Sequence, residues 1–249
     1  MASLKDKVVV VAGGTGSVGE GLVKSFLGHG ALVVVPVRSA QKQRNLEEHV
    51  AEISAGTLRC IEAQVGDEES VNAFRKQVLE EFGSVDMAVA CMGTWYYGYS
   101  LHRMPYEDWK QIIQNNLNTH FLFMRAFLSA LHVQREGVYV MINGGNSELI
   151  APETGAFSIA AAAQKMMTRV LAEEARGTNV RVHSVVAFNP VKTRDRRREV
   201  MEEWITPEEL GEYVARLYEG SLPNTDETIH TIYTTQDLKR SLQSGQKRA

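Results

Sequence analysis

The sequence predicts an α/β fold in which helices cover both faces of a doubly wound parallel sheet. Three observations carry that expectation. Short, β-branched apolar runs alternate with amphipathic stretches from one end of the chain to the other. Each run is brief enough to be a strand buried on both faces, as parallel strands are when crossover helices cover them. The first run also passes directly into a glycine-rich turn and a helix, Ala12-Gly13-Gly14-Thr15-Gly16-Ser17-Val18-Gly19. Strands that alternate with helices, joined by right-handed crossovers, leave few other arrangements.

The elements follow in order. Strands are expected over residues 8–12, 31–37, 58–62, 87–91, 138–143 and 180–186, with a last one near 228–233. Helices are expected between them, over 19–28, 41–55, 68–82, 106–132, 156–176 and 207–219. Asp67 is placed to cap the helix that Glu68 opens. Thr206 caps the one in which Pro207 occupies the first turn, where a missing N–H costs nothing. Pro36 is the awkward residue, because in an interior strand it removes a ladder bond, so it is expected at the strand's last pairing position. No repeat or linker divides the chain, and residues 1–238 are read as one domain. Residues 239–249 carry little packing signal and are read as a flexible tail.

Composition excludes several classes. The 249 residues, 44% hydrophobic and 23% charged, suffice for one buried core. A net charge of -3 gives no sign of a nucleic-acid partner. Cys60 and Cys91 sit singly in apolar runs, which suits small buried thiols in a reducing compartment better than a disulfide framework or a metal site. The N-terminus turns straight into a strand without a charged and then apolar leader. No apolar run approaches the ~20 residues that span a bilayer. A soluble, cytoplasmic protein acting on a small molecule is expected.

The glycine turn points to a dinucleotide. Glycines there let the turn tighten and a pyrophosphate approach the backbone, while the helix N-terminus faces the negative charge. The end of the second strand then reports on the ribose. A carboxylate there would bond the 2′-hydroxyl of NAD, but this chain has Val37-Arg38-Ser39, and a guanidinium suits a 2′-phosphate. NADP(H) is therefore the expected cofactor. The competing reading makes Arg38 a solvated cation beside Lys42 and Arg44.

Taken together, these segments resemble the short-chain dehydrogenase/reductase superfamily, in its compact single-domain type, over about residues 5–235. Besides the glycine turn, Asp67 after the third strand, Asn116-Leu117-Asn118-Thr119 in the fourth helix, Pro190-Val191-Lys192-Thr193 after the sixth strand, and Thr206-Pro207 match in order. The resemblance implies a Rossmann fold of seven parallel strands with the site at their carboxyl ends. It implies cofactor contacts from Gly13, Thr15, Gly16, Ser17, Val18 and Gly19, from Arg38, Ser39 and Val65, and from Ala90, Gly93, Val191 and Thr193. Asn116 falls on the family's catalytic asparagine.

The departures cluster at the chemistry. The resemblance puts Gly144, Phe157 and Ala161 where the family keeps its Ser, Tyr and Lys, so the chain is identified as a divergent member without that triad. In the family the phenol passes a proton as hydride moves, the ammonium lowers its pKa, and the serine holds the substrate oxygen. Losing such help forfeits about 10²–10⁴-fold in rate. Ser17 also replaces the middle glycine, Ala90-Cys91-Met92-Gly93 replaces Asn-Asn-Ala-Gly, and Phe188-Asn189 replaces Pro-Gly. Asn143 and Tyr97 are the candidate substitutes at the reacting centre. His102, Glu148 and Lys165 are weaker ones, and His120 is read as an interhelix contact.

The expected function is an NADP(H)-binding enzyme without the Tyr–Lys relay, in specialised biosynthesis. It either reduces an activated iminium or conjugated substrate or catalyses a cyclisation. The alternative is a non-catalytic NADP(H)-binding regulator or assembly partner. Helices over 106–132 and 156–176 correspond to those that pair across a two-fold in the family, which implies a homodimer or homotetramer. The basic run from Thr193 to Arg198 is read as solvated or as a lid.

Overall fold

The computed structural model describes residues 4–195 and 200–245. Its strands are β1 (Val8–Ala12), β2 (Leu32–Val37), β3 (Thr57–Glu62), β4 (Met87–Ala90), β5 (Glu136–Gly144), β6 (Asn179–Ala187) and β7 (Ile229–Ile232). All seven pair in parallel in one sheet of order β3-β2-β1-β4-β5-β6-β7. Helices α1 (Gly19–Gly28), α2 (Ala40–Val50), α3 (Glu68–Phe82), α4 (Tyr106–Ile113), α5 (Thr119–Gln134), α6 (Gly155–Glu174), α7 (Pro207–Glu219) and α8 (Thr235–Gly245) flank it. The expected doubly wound Rossmann architecture is the one observed.

Period-two alternation along the central strands builds the two cores. Val9 and Val11 of β1, with Val33 and Val35 of β2 and Met87 and Val89 of β4, face Leu22, Phe26, Leu46, Leu210 and Val214 on α1, α2 and α7. Val8, Val10 and Ala12, with Val34, Ala88 and Ala90, face Phe74, Phe123, Phe127, Leu131 and Leu171 on α3, α5 and α6. Burial on both faces leaves these strands no polar side, hence their unbroken apolar runs. Edge strand β3 departs from that expectation and alternates, with exposed Arg59 bonded to Glu81 of α3.

The caps fall where the sequence puts them. Asp67 Oδ1 accepts from the Ser70 amide at 2.7 Å. Thr206 and Glu209 form a reciprocal capping box around Pro207. Pro36 lies one residue short of the expected place, since Val37 still pairs with Glu62. The Val37 carbonyl accepts from Ala63 on the β3 side. By alternation the Pro36 nitrogen therefore faces β1, whose register with β2 ends at Val34, and the missing N–H costs no bond there.

Two expectations need correction. The helix expected over 106–132 is α4 and α5 joined by a π turn over Gln114–Asn118, a widening that periodicity does not reveal. The expected tail over 239–249 is helical as far as Gly245, because Leu238 and Leu242 of α8 join the core against α7. Residues 246–249, and Arg196–Arg198 of the basic run, lie outside the described residues. Both cysteines are free. No described helix is long and apolar enough to cross a membrane.

Buried imidazoles make the fold acid-sensitive. His120 and His183 are held neutral by burial, which lowers each pKa to about 4. The unfolded chain takes up these protons near pH 6.5, so stability falls as pH drops from there toward 4. Glu212 adds to the loss at lower pH, because its hydrogen bond with His29, together with Arg216, lowers its pKa to about 2. Its contribution is present above about pH 4.5 and disappears toward 2. The unfolding midpoint is expected to fall steadily between pH 7 and 4.5, and His120→Gln to flatten that slope. Calorimetry showing no change over this interval contradicts the account.

Candidate active site

The sheet order reverses at β1, since the chain winds outward through β2 and β3 and then returns to β4 on the other side. Loops leaving β1 and β4 therefore diverge at the strands' carboxyl ends and open a crevice. Two glycines make the divergence possible. Gly13, at φ +83, lies so close to the Cys91 carbonyl that a Cβ would sit 2.0 Å from its oxygen. Gly93, at φ +138, leaves no room for a Cβ beside Asn116 Oδ1, 2.4 Å away. Both backbones follow paths closed to other residues.

A cavity of about 840 Å³ fills the crevice. It brings together eleven of the expected site residues: Gly16, Ser17, Val18 and Gly19 on one side, Gly93 and Val191 on the rim, and Asn116, Asn143, Gly144, Phe157 and Ala161 within. Gly13, Thr15, Arg38, Ser39, Val65, Ala90 and Thr193 lie outside its lining. Gly13 nevertheless shapes the turn, and Arg38 is exposed at the end of β2 beside Ser39, which caps α2.

Asn116 owes its place to the π turn. Only 2% exposed, it accepts from the Thr94 amide through Oδ1 at 2.9 Å and donates from Nδ2 to the Ile112 carbonyl at 3.0 Å. Asn143 is likewise spent on the fold, donating to the Ala161 carbonyl at 2.9 Å and accepting from the Gly144 amide at 2.8 Å. Gly144 is in extended backbone, and a Cβ there would meet nothing within 4 Å. Phe157 packs edge-on against Trp95, ring centroids 5.1 Å apart.

Tyr97, expected at the reacting centre, is placed elsewhere. It is 66% exposed, outside the lining, and its hydrogen bond to Glu153 raises the phenol's pKa. His102 is exposed in the single-turn helix Leu101–Arg103. Lys165 does not reach the space beside Ala161 either, because Glu148 draws its ammonium into an ion pair outside the cavity. Glu148 is thereby taken from the apolar pocket expected for it. His120 is fully buried and its Nε2 bonds the Met92 carbonyl at 2.9 Å, so it braces the segment after β4 rather than another helix.

Sequence reasoning missed Gln164. It lines the cavity three residues after Ala161 and donates from Nε2 to the Asn116 carbonyl. The signal was available as a polar residue on the Ala161 face of an alanine-rich helix, but the cationic Lys165 drew attention one position too far. The described lining residues include no Lys, Arg, His, Tyr or carboxylate. Cys91 is the one thiol among them, and burial pushes its pKa up to about 12.

At the N-terminal end of α1 the segment after β6 folds back. Ser17 Oγ donates to Asp195 at 2.6 Å, and this bond, with help from the Thr193 hydroxyl, lowers the aspartate's pKa. Arg194 forms a forked pair with Glu20 of α1 at 2.5 and 3.0 Å. A carboxylate thus stands at the helix terminus that attracts anions. The glycine turn and the cavity beyond it could hold the phosphates and one nucleotide of a dinucleotide, with Asp195 standing where the phosphates would approach.

Residues 7–203 match the short chain dehydrogenase family. The uncharacterized oxidoreductase YvrD of Bacillus subtilis (strain 168) is 28% identical over 184 residues, or 74% of this chain and 68% of that one. A metagenomic short-chain oxidoreductase solved in complex with NADP superposes with a TM-score of 0.78 at 23% identity, over 93% of this chain and 97% of that one. NAD+-bound xylitol dehydrogenase superposes at 0.79 and 17% identity, over 92% and 98% of the two chains. At such identities the structures establish the shared fold. The family match over most of the sequence, carried on this sheet order and this crevice, makes the chain a member of the short-chain dehydrogenase family.

Proposed function

We propose that the protein binds NADP(H) and reduces an activated acceptor, an iminium or conjugated carbon, that needs no proton from a tyrosine–lysine pair. The observation that carries this reading is a crevice beside the glycine turn, at the carboxyl ends of β1 and β4, whose described lining holds no lysine, tyrosine, histidine or carboxylate. By sequence resemblance Gly144, Phe157 and Ala161 stand at the family's Ser, Tyr and Lys positions, and all three line that cavity.

The chain's own groups divide the work. Gly16, Ser17, Val18 and the first amides of α1 would hold the pyrophosphate, while Gly93 and Val191, which line the cavity, would border the nicotinamide end. Arg38 is suited to a 2′-phosphate, and no carboxylate occupies its place at the end of β2 to favour NAD. Of the two solved relatives above, one carries NADP and the other NAD+, so the preference rests on Arg38. NADPH, when bound, would supply one hydrogen with two electrons; an iminium carbon that accepts them becomes an amine carbon with no proton to move, and a conjugated carbonyl becomes an enolate that takes its proton from water. The Trp95 and Phe157 rings form an aromatic wall suited to a flat or cationic substrate. Phe157 keeps a ring at the tyrosine position and offers no phenol.

Assembly belongs to the same reading. Exposed Ile159, Met166 and Val170 on α6, with Phe121 on α5, support pairing of two copies through these helices.

Three measurements test the proposal. Arg38→Ala is expected to weaken NADPH binding roughly ten-fold or more while sparing NADH, and equal loss for both removes the 2′-phosphate assignment. Asp195→Asn is expected to tighten NADPH about two- to five-fold in titration calorimetry, because a surface carboxylate no longer competes with the pyrophosphate; unchanged affinity contradicts that competition. In turnover assays with NADPH, cyclic iminium salts and enones should be consumed and simple ketones should not. Installing Gly144→Ser, Phe157→Tyr and Ala161→Lys together should bring in ketone reduction, and the serine has open space to occupy. NADPH binding without consumption of any acceptor overturns the hydride reading in favour of a regulator or a non-redox reaction.

A further inference from the structure

Three amides lie deep in the cavity, and they are not equivalent. Asn116 and Asn143 each use both ends of the carboxamide within the fold. Gln164, 5% exposed, uses one. Its Nε2 donates to the Asn116 carbonyl, which the π turn turns toward α6. That contact fixes the orientation of the amide, since a flipped group would press oxygen against oxygen. Oε1 is the end left over. It accepts no hydrogen bond from any described residue, and Gln164 lines the cavity beside Ala161. An acceptor on a cavity-lining residue that no protein donor engages is open to a hydrogen bond from water or from a donor group of a ligand.

We propose that Gln164 is a ligand-binding residue whose Oε1 accepts a hydrogen bond from an O–H or N–H group of the molecule held in the cavity. This inference rests on the reading of the cavity as a ligand site. One turn from the position where the family offers an ammonium donor, this chain offers a fixed acceptor. The site therefore selects ligands that present a donor at this depth over those that present a carbonyl or carboxylate oxygen. It also leaves no fixed positive charge among the described lining residues to repel a cationic nitrogen. The donor is either a ribose hydroxyl of the cofactor or an N–H of the substrate.

Two variants separate the acceptor from the structural bond. Gln164→Met removes both, whereas Gln164→Lys can still donate to the Asn116 carbonyl but has no acceptor. Unfolding midpoints establish that each is folded. NADPH is titrated by calorimetry, and protonated 3,4-dihydroisoquinoline is compared with its N-methyl analogue, which lacks the N–H, in the presence and absence of cofactor. Roughly ten-fold weaker NADPH binding in both variants supports the inference and assigns the donor to the cofactor. Unchanged NADPH affinity, with a wild-type preference for the N–H ligand that both variants lose, supports it and assigns the donor to the substrate. Unchanged NADPH affinity with no such preference to lose overturns it. Wild-type protein that fails to bind NADPH instead overturns the cofactor reading, and the N–H comparison without cofactor still decides the role of Gln164.

Discussion

The approach of Gly13 to the Cys91 carbonyl is the contact on which the site depends. It joins the ends of β1 and β4, the two strands between which the sheet order reverses, and it does so where a single methyl group would force them apart. The Cys91 amide donates to the Ala12 carbonyl at 2.9 Å, so the ladder continues one bond past the strands before the chains diverge. Beyond that bond, Gly16–Gly19 on one side and Cys91–Trp95 on the other line the crevice. Gly93 then closes on Asn116, Asn116 closes on Thr94 and Ile112, and Gln164 ties the π turn to α6. The cavity wall is a chain of such local bonds anchored at one strand junction.

That wall is uncharged and mixes carboxamides with apolar and aromatic side chains. Carboxamides engage the Asn116 carbonyl of the π turn, the Gly144 amide at the end of β5 and the Ala161 carbonyl of α6, and the rings of Trp95 and Phe157 pack together beside them. Charges near the site are paired with one another outside the lining: Lys165 with Glu148, Arg194 with Glu20. An ion pair removes a group from chemistry as effectively as substitution does, which is why neither Lys165 nor Glu148 fills the space beside Ala161. Folding energetics and site electrostatics are here decided by the same contacts.

Much of this was legible in the sequence because it rests on local rules. Both-face burial of β1, β2 and β4 wrote itself as unbroken valine and alanine runs, and the capping residues Asp67 and Thr206 announced their helices. The glycine turn was legible for the same reason, since only glycine tolerates the path at Gly13. What stayed hidden depended on distant partners. The π turn at Asn116 follows from contacts with Thr94 and Gln164, far away in sequence, and helical periodicity runs straight through it. The direction of Lys165 depended on Glu148, and that of Tyr97 on Glu153. Helix α8 was missed because its packing residues are only Leu238 and Leu242 amid polar neighbours.

The uncharged lining has a consequence for ionic strength. A ligand seated among amide dipoles and ring faces is held by short-range forces that dissolved salt barely screens. Charge gathers instead near the glycine turn, where Asp195 bonds Ser17 at the terminus of α1 and Arg38 is exposed at the end of β2. Salt weakens interactions there over about 10 Å at 0.1 M. The two regions therefore answer differently to the medium: a concentrated electrolyte damps the field around Asp195 and Arg38 and leaves the uncharged inner chamber almost unchanged.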